Sequence, residues 1–335
     1  MLVARDVHAA AVAAGNDVDG CLELAERFGA SLPMPAAGNT AHRWALLAAA
    51  AAGDLTAGRV LEAHSDALAI LHEAGLPVPE GTWGVFAAEA PGARLEERDG
   101  RLYGTKPWCS LGDRLDRALV TAFVGDPAGN TRRLFAVDLR NDQVRADPPG
   151  TWVSRGLAAV TSAALHFDGA PADPVGEPEW YLRRPGFAWG GMGVAACWYG
   201  GAHGLVERLR ERAGERGGEL DLLHLGAADV ALYTAGAVLQ QAAGAIDSGA
   251  ACGRRGELLA LRVRSAVAAA AEEVLRQAAH ALGPAPLAFD EAHARRVADL
   301  EIYLRQHHGE RDVAAAGRAA LAEPGPLERL RGGLL

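Results

Sequence analysis

The chain runs to 335 residues, half of them apolar, with a formal net charge of −9 at pH 7. That length is enough for two or three domains with buried cores. The acidic balance excludes a general nucleic-acid or anionic-membrane binder, because nothing supplies a phosphate-facing basic field.

From about Val3 to Gly75 the pattern is helical. Leu22, Leu24 and Phe28 share a face, Pro33 and Pro35 break the chain, and Asn39-Thr40 caps a helix through Trp44 and Leu47. Asp54 or Thr56 caps the next, Val60 to Ala74, which stops at Gly75 and Pro77. The character then changes to short β runs: Trp83–Ala88, Arg101–Thr105, Arg117–Val124, Arg133–Asp138, Val144–Ala146 and Ala163–Phe167. Turn clusters at Asp126–Asn130 and Asp147–Gly150 separate them, and the Pro/Gly-rich exit Gly169–Pro178 marks a boundary. Four helical candidates follow, Gly193–Arg212, Leu222–Gly244, Leu258–Leu282 and Ala292–His307, spaced as an up-down bundle. The expected fold class is therefore α+β multidomain: an N-terminal helical domain over 1–80, an antiparallel β domain over 81–180 and a C-terminal four-helix bundle over 181–335. The Pro/Gly-punctuated tail from Glu323 reads as loosely ordered.

Cys21, Cys109, Cys197 and Cys252 are scattered, with neither metal-ligand spacing nor the density of a disulfide framework, so free thiols are expected. The N-terminus lacks a charged region followed by an apolar run, and the Ala-rich Ala45–Ala52 is too short to span a bilayer. A cytoplasmic protein with no membrane partner is the expectation.

Two strand motifs carry chemistry. Gly84-Val85-Phe86-Ala87-Ala88-Glu89 is followed, after a Pro91-Gly92 turn and a charged hairpin tip, by Leu102-Tyr103-Gly104-Thr105-Lys106-Pro107-Trp108-Cys109-Ser110. The pair resembles the central β domain of the acyl-CoA dehydrogenases, where V-T-E-P and G-x-K-x-W-I-T strands hold the isoalloxazine ring of FAD. The Gly-x-Lys-x-Trp-x-Ser spacing and Glu89 fit, whereas Ala88 replaces the threonine. The similarity extends from about Arg43 to Gly317. Ala195-Ala196 with Gly200-Gly201-Ala202 looks like the opening helix of the family's bundle. Gln277 to Gly283 looks like its Q-x-L-G-G loop, which reaches the FAD of the neighbouring subunit, with His280 for Gln and Pro284 for the second Gly. Asp299-Leu-Glu-Ile-Tyr303 looks like the R-D-A-x-I-x segment.

The resemblance implies FAD between the β domain and the bundle, contacted by Ala87, Ala88, Trp108, Cys109, Ser110, His280 and Gly283. It implies flavin oxidoreduction of a small-molecule or acyl-thioester substrate, and a homodimer or homotetramer. The departures lie at the reacting centre. His307 falls where the family's catalytic Glu belongs, and imidazole titrates near neutrality and can take a proton. The alternative Glu position, at the start of the bundle's first helix, reads Ala188-Trp189-Gly190-Gly191-Met192. Arg94 replaces the serine that contacts acyl-CoA and is the candidate substrate-binding residue. The R-x-x-F-G stretch that grips FAD across the dimer is replaced by Arg216-Gly-Gly-Glu-Leu.

Each residue also has a plainer reading. Trp108 could be an ordinary β-core aromatic, Cys109 a small buried hydrophobe on the opposite face, and Glu89 a solvated strand-end carboxylate. Lys106 reads as a structural ion-pair partner, and Arg311-Asp312 as a helix start. His307 and His308 could be surface histidines, with His308 directed elsewhere on the loop. Two other functions stand beside the dehydrogenase-like one: a flavin monooxygenase or oxidase on the same fold, and a non-catalytic relative that has lost FAD.

Overall fold

The computed structural model describes residues 2–126, 129–148 and 150–322. Pro127, Ala128 and Pro149, within two predicted turns, and the Glu323–Leu335 tail lie outside the described residues. Helices α1 (Ala4–Ala14), α2 (Val18–Gly29), α3 (Thr40–Gly53) and α4 (Leu55–Glu73) open the chain. Asp54 caps α4 as expected, accepting from the Thr56 and Ala57 amides at 2.8 and 3.4 Å, and α4 starts at Leu55, ahead of the predicted Val60. Asn39 makes no side-chain cap on α3. Asp247, at the far end of the bundle, does that work instead. Its carboxylate accepts from the Thr40 amide at 3.0 Å, the Thr40 hydroxyl at 2.6 Å and the Gly38 amide at 3.2 Å.

The sheet comprises β1 (Trp83–Phe86), β2 (Leu95–Arg98), β3 (Arg101–Ser110), β4 (Arg117–Phe123), β5 (Arg132–Asp138), β6 (Val144–Ala146), β7 (Ser162–Pro171) and β8 (Asp173–Val175), ordered β6-β7-β3-β2-β4-β5-β8 with β1 on β4. Pairing is antiparallel except along β4, where β1 and β2 both run parallel to it. The two lie end to end on one edge of β4, β1 against Arg117–Val120 and β2 against Phe123. They behave as one strand interrupted between Ala87 and Arg94, where the Pro91-Gly92 turn forces the chain out of the ladder. Ala87 and Ala88 therefore sit in the gap, beyond the end of β1.

The rest is helical: α5 (Trp180–Arg183), α6 (Pro185–Arg216), α7 (Glu219–Asp247), α8 (Gly253–Leu282), α9 (Pro284–Phe289), α10 (Glu291–Tyr303), a 3-10 turn over Leu304–Gln306, and α11 (Glu310–Leu321). The long helices α6, α7, α8 and α10 are the expected bundle, except that α10 stops at Tyr303 instead of His307. Helix α6 packs on α3 at van der Waals limits: a Cβ at Gly200 would lie 2.0 Å from the Ala48 carbonyl oxygen, so only glycine is accommodated there. One continuous core runs from Val7 and Leu24 through Phe86 and Phe167 to Trp198 and Val274, joining the N-terminal helices, sheet and bundle. A second core clamps α4 to the sheet through Leu68, Leu71, Trp83, Leu119 and Tyr181.

Candidate active site

Strand β3 loses its register between Lys106 and Cys109, and this bulge aims the motif's side chains. Before it, Lys106 is fully buried, with Nζ 2.7 Å from a Glu89 carboxylate oxygen and 2.8 Å from the Thr121 hydroxyl. Burial pulls its pKa down against the opposing pull of Glu89. The lysine is a structural ion-pair partner, and Glu89 is its counter-ion. Trp108 sits at φ +58°, a strained conformation for a bulky residue, and its side chain stands 57% exposed. Cys109 turns inward. Its thiol is buried 3.2 Å from the Lys106 carbonyl and pushed up to about 12, so its side chain faces the core and not a cofactor. Ser110 Oγ lies 2.9 Å from Ser162 Oγ and 3.5 Å from a guanidinium nitrogen of Arg59 on α4.

Arg59, Glu62 and Asp66 recur three and four residues apart, so α4 presents them on one face. Arg59 donates to Glu62 at 2.7 Å, and the Tyr303 hydroxyl donates to the same carboxylate oxygen at 3.0 Å. Burial raises the pKa of Glu62 despite the arginine, and drives that of Tyr303 well up. Trp198 of α6 meets Tyr303 edge-on at 6.4 Å between ring centroids and His307 at 6.3 Å. Ser110 and His307, remote in sequence, thus stand at the two ends of one packed cluster.

His307 is not a surface histidine. Its side chain is only 10% exposed, with Nε2 3.1 Å from Ser265 Oγ and 3.8 Å from Asp312. Burial lowers its pKa, with Asp312 opposing. Arg264 of α8 holds the loop by donating to the carbonyls of Gln306 at 2.6 Å and Gly191 at 2.8 Å. Beyond the loop lies a cavity of about 450 Å3, walled by Tyr181, Phe187, Val194 and Leu261 together with Asp66 and Arg184. It is His308, with Asp312, that joins this wall, and His307 stands behind it. The expectation that His308 points away from the site is corrected: the extended His307 backbone turns the next side chain toward the cavity, where Asp312 holds it at 3.3 Å.

No family model and no curated protein matches the chain, but solved structures do. The dibenzothiophene monooxygenase TdsC of Paenibacillus sp. A11-2, solved with FMN and indole, superposes with a TM-score of 0.77 at 16% identity over 96% of this chain and 97% of that one. The 3-HSA hydroxylase of Rhodococcus sp. RHA1 gives 0.75 at 14% identity over 96% of each chain. A steroid ACAD, Tcur3481-Tcur3483, gives 0.74 at 18% identity over 95% of this chain and 96% of that one. The chain has the acyl-CoA dehydrogenase fold.

On that fold the remaining sequence candidates separate. Ala88 is exposed beside the interrupted edge and Ala87 is half-buried, where main-chain amides are free of the strand ladder. Arg94 is spent within its own domain. It pairs with Glu96 at 2.8 Å, donates to the Gly129 carbonyl at 2.9 Å and stacks 3.8 Å from the Phe123 ring centroid. Those contacts make it a brace for the turn. His280 is exposed on the last turn of α8, 6.0 Å from the His224 ring, and Gly283 is that helix's cap at φ +69°. Sequence reasoning missed Arg59, Glu62, Asp66 and Tyr303. The Arg59-x-x-Glu62-x-x-x-Asp66 spacing was the available signal, but it reads equally as a solvated helix face.

Proposed function

We propose that this protein is a flavin-dependent oxidoreductase whose ring site lies between the bulged strand β3 and the loop after α10. The observation carrying the proposal is Trp108: an indole held outward at φ +58°, while the Trp83 and Phe86 side chains on β1 are buried. A flat hydrophobic face next to the Ser110 hydroxyl and the amides beyond β1 matches the donor set an isoalloxazine needs. When bound, a flavin supplies two-electron redox chemistry and reaction with dioxygen. The chain lacks the motif that grips the dinucleotide across a dimer, so flavin is the inference and FMN competes with FAD. His307, neutral at pH 7 by its lowered pKa, accepts a proton in the position where the fold's dehydrogenases use a carboxylate. Glu62, Arg59 and Tyr303 hold the floor of the site and exclude water.

A monooxygenase reading is favoured over dehydrogenation by one specific arrangement. The loop offers imidazole in place of a carboxylate, and Arg94, at the position of the CoA-contacting serine, is occupied by Glu96 and Phe123. The absorbance spectrum of freshly purified protein, followed by FMN and FAD titration, tests the flavin. Trp108→Ala is expected to weaken flavin binding about tenfold or more with an unchanged fold, the scale of a lost ring contact. A colourless protein that takes up neither flavin refutes the proposal. Rapid reoxidation of the reduced protein by dioxygen supports the monooxygenase reading, and slow reoxidation refutes it. His307→Gln should lower turnover by about two orders of magnitude, as for a general acid–base group, with flavin affinity retained.

A further inference from the structure

Asp66 is a half-buried carboxylate in the cavity wall whose capacity for hydrogen bonding is left open. Among the described residues its carboxylate has no hydrogen-bond or ion-pair partner. Of the other charged groups of the wall, Glu257 is exposed and the Arg184 Nε is a buried donor without a hydrogen-bond partner among the described residues, while the remaining contacts are internal. Arg184 pairs with Glu73 at 2.6 Å. Arg264 serves two carbonyls, and Asp312 accepts from the His308 amide at 3.1 Å. A half-buried carboxylate without a partner is costly to keep, and burial raises its pKa even with Arg184 and Arg43 nearby. Such a group is expected where a ligand completes it.

What completes it follows from the rest of the wall. An anionic ligand meets the carboxylates of both Glu257 and Asp66, while Arg184 and Arg264 are partly engaged by protein acceptors. A ligand that donates a hydrogen bond finds an open acceptor. Tyr181 and Phe187 pack edge-to-face at 5.4 Å and, with Leu261 and Val194, supply a surface for a flat apolar body. Gly190 leaves the opposite helix bare, since a Cβ there would sit 2.8 Å from Asp66 Oδ1. A volume of about 450 Å3 lies within the roughly 300–1,000 Å3 of small-molecule sites.

We propose that Asp66 anchors an aromatic ligand through a neutral N–H or O–H donor on its ring. That this ligand is the substrate rests on the flavin reading above, whereas its binding does not. The test is equilibrium binding of 2-naphthol, 2-methoxynaphthalene, 2-naphthoate and 2-naphthylmethylammonium to the purified protein, with no turnover required. Wild type should bind 2-naphthol roughly tenfold or more tighter than the methyl ether or the carboxylate, the scale of a hydrogen bond to a charged acceptor. Asp66→Leu should erase that preference with affinity for the ether retained, and Asp66→Asn, which keeps a carbonyl acceptor, should preserve part of it. Equal binding of naphthol and ether by wild type overturns the proposal, as does a preference that survives Asp66→Leu. Tightest binding by the ammonium also overturns it, assigning a cationic ligand. Loss of ether binding in both variants assigns Asp66 a structural role. A protein that takes no flavin yet retains the Asp66-dependent preference defeats the proposed function and leaves this inference standing. Flavin binding without the preference does the reverse.

Discussion

His64 sets a pH-dependent latch between α4 and the sheet. Its ring is 4% exposed, and Nδ1 accepts the Trp83 amide proton at 3.1 Å, an acceptor role that only the neutral imidazole can fill. Burial lowers its pKa from 6.5 to about 4. The folded state thus binds fewer protons than the unfolded chain between those values. The stabilisation is present above pH 6.5 and is lost as pH falls toward 4. At 1.36 kcal/mol per pH unit, the loss from about pH 7.5 to about pH 4.5 is about 2.5 kcal/mol. Asp299 works in the opposite direction. Burial raises it from 3.8 to about 6, so its contribution improves as pH falls through 6, by about 2 kcal/mol over the same interval. The two nearly cancel in wild type. His64→Asn keeps an acceptor near Nδ1 and cannot titrate. Urea unfolding by tryptophan fluorescence at both pH values should show the variant's pH-dependence differing from wild type by about 2.5 kcal/mol in favour of acid. A difference below about 0.5 kcal/mol would refute the linkage. Helix α4 also carries Arg59, Glu62 and Asp66.

Two further outcomes follow from exposure. Cys252 is exposed while Cys21, Cys109 and Cys197 are buried with thiols pushed up, so a thiol reagent should titrate one cysteine in native protein and all four after denaturation. Rapid reaction of a second native thiol would contradict the packing of α2, β3 or α6. Helix α7 leaves Leu223, Val230 and Tyr233 exposed along a length apolar enough to cross a bilayer, and we propose that a second copy covers this face. Light scattering at micromolar concentration should give a dimer or tetramer, and a monomer mass would count against it.

The order of helices, strands and helices was legible because the apolar period changes at Trp83 and again near Trp189. The Asp54 cap and the ion-pair role of Lys106 were legible for local reasons, a short carboxylate before a helix and a lone lysine in a strand, but its partner Glu89, which reads as a solvated carboxylate, was not. Strands Leu95–Arg98 and Asp173–Val175 were not. Glu96, Glu97 and Pro174 disguise them, and they are held by neighbours β3, β4 and β5, not by their own propensity. The Asp247 cap on α3 spans 207 positions, beyond any window of local pattern. The site was half legible for a similar reason. Trp108, Ser110 and His307 stand in motifs, but the charged face of α4 becomes a buried face only when α6 and α10 close over it.

Gly190 ties these threads together. It lies in the stretch at the start of α6 where sequence reading looked for a catalytic carboxylate and found none. The reason is spatial: with Asp66 Oδ1 2.8 Å from any Cβ built at Gly190, the two helices cannot both place a side chain at that point. A carboxylate stands instead on α4, on the opposite wall, one helical turn beyond Glu62. Glu62 is held by Arg59 and Tyr303 and belongs to the floor beneath the strand. Asp66 is not, and it faces the cavity. One helix therefore serves two surfaces, with Arg59 reaching toward Ser110 on β3 and Asp66 toward the cavity, and His64 fixes its register against the sheet. A side chain at Gly190 must displace the Asp66 carboxylate, so the glycine at the start of α6 and the place of Asp66 in the cavity wall are a single structural choice.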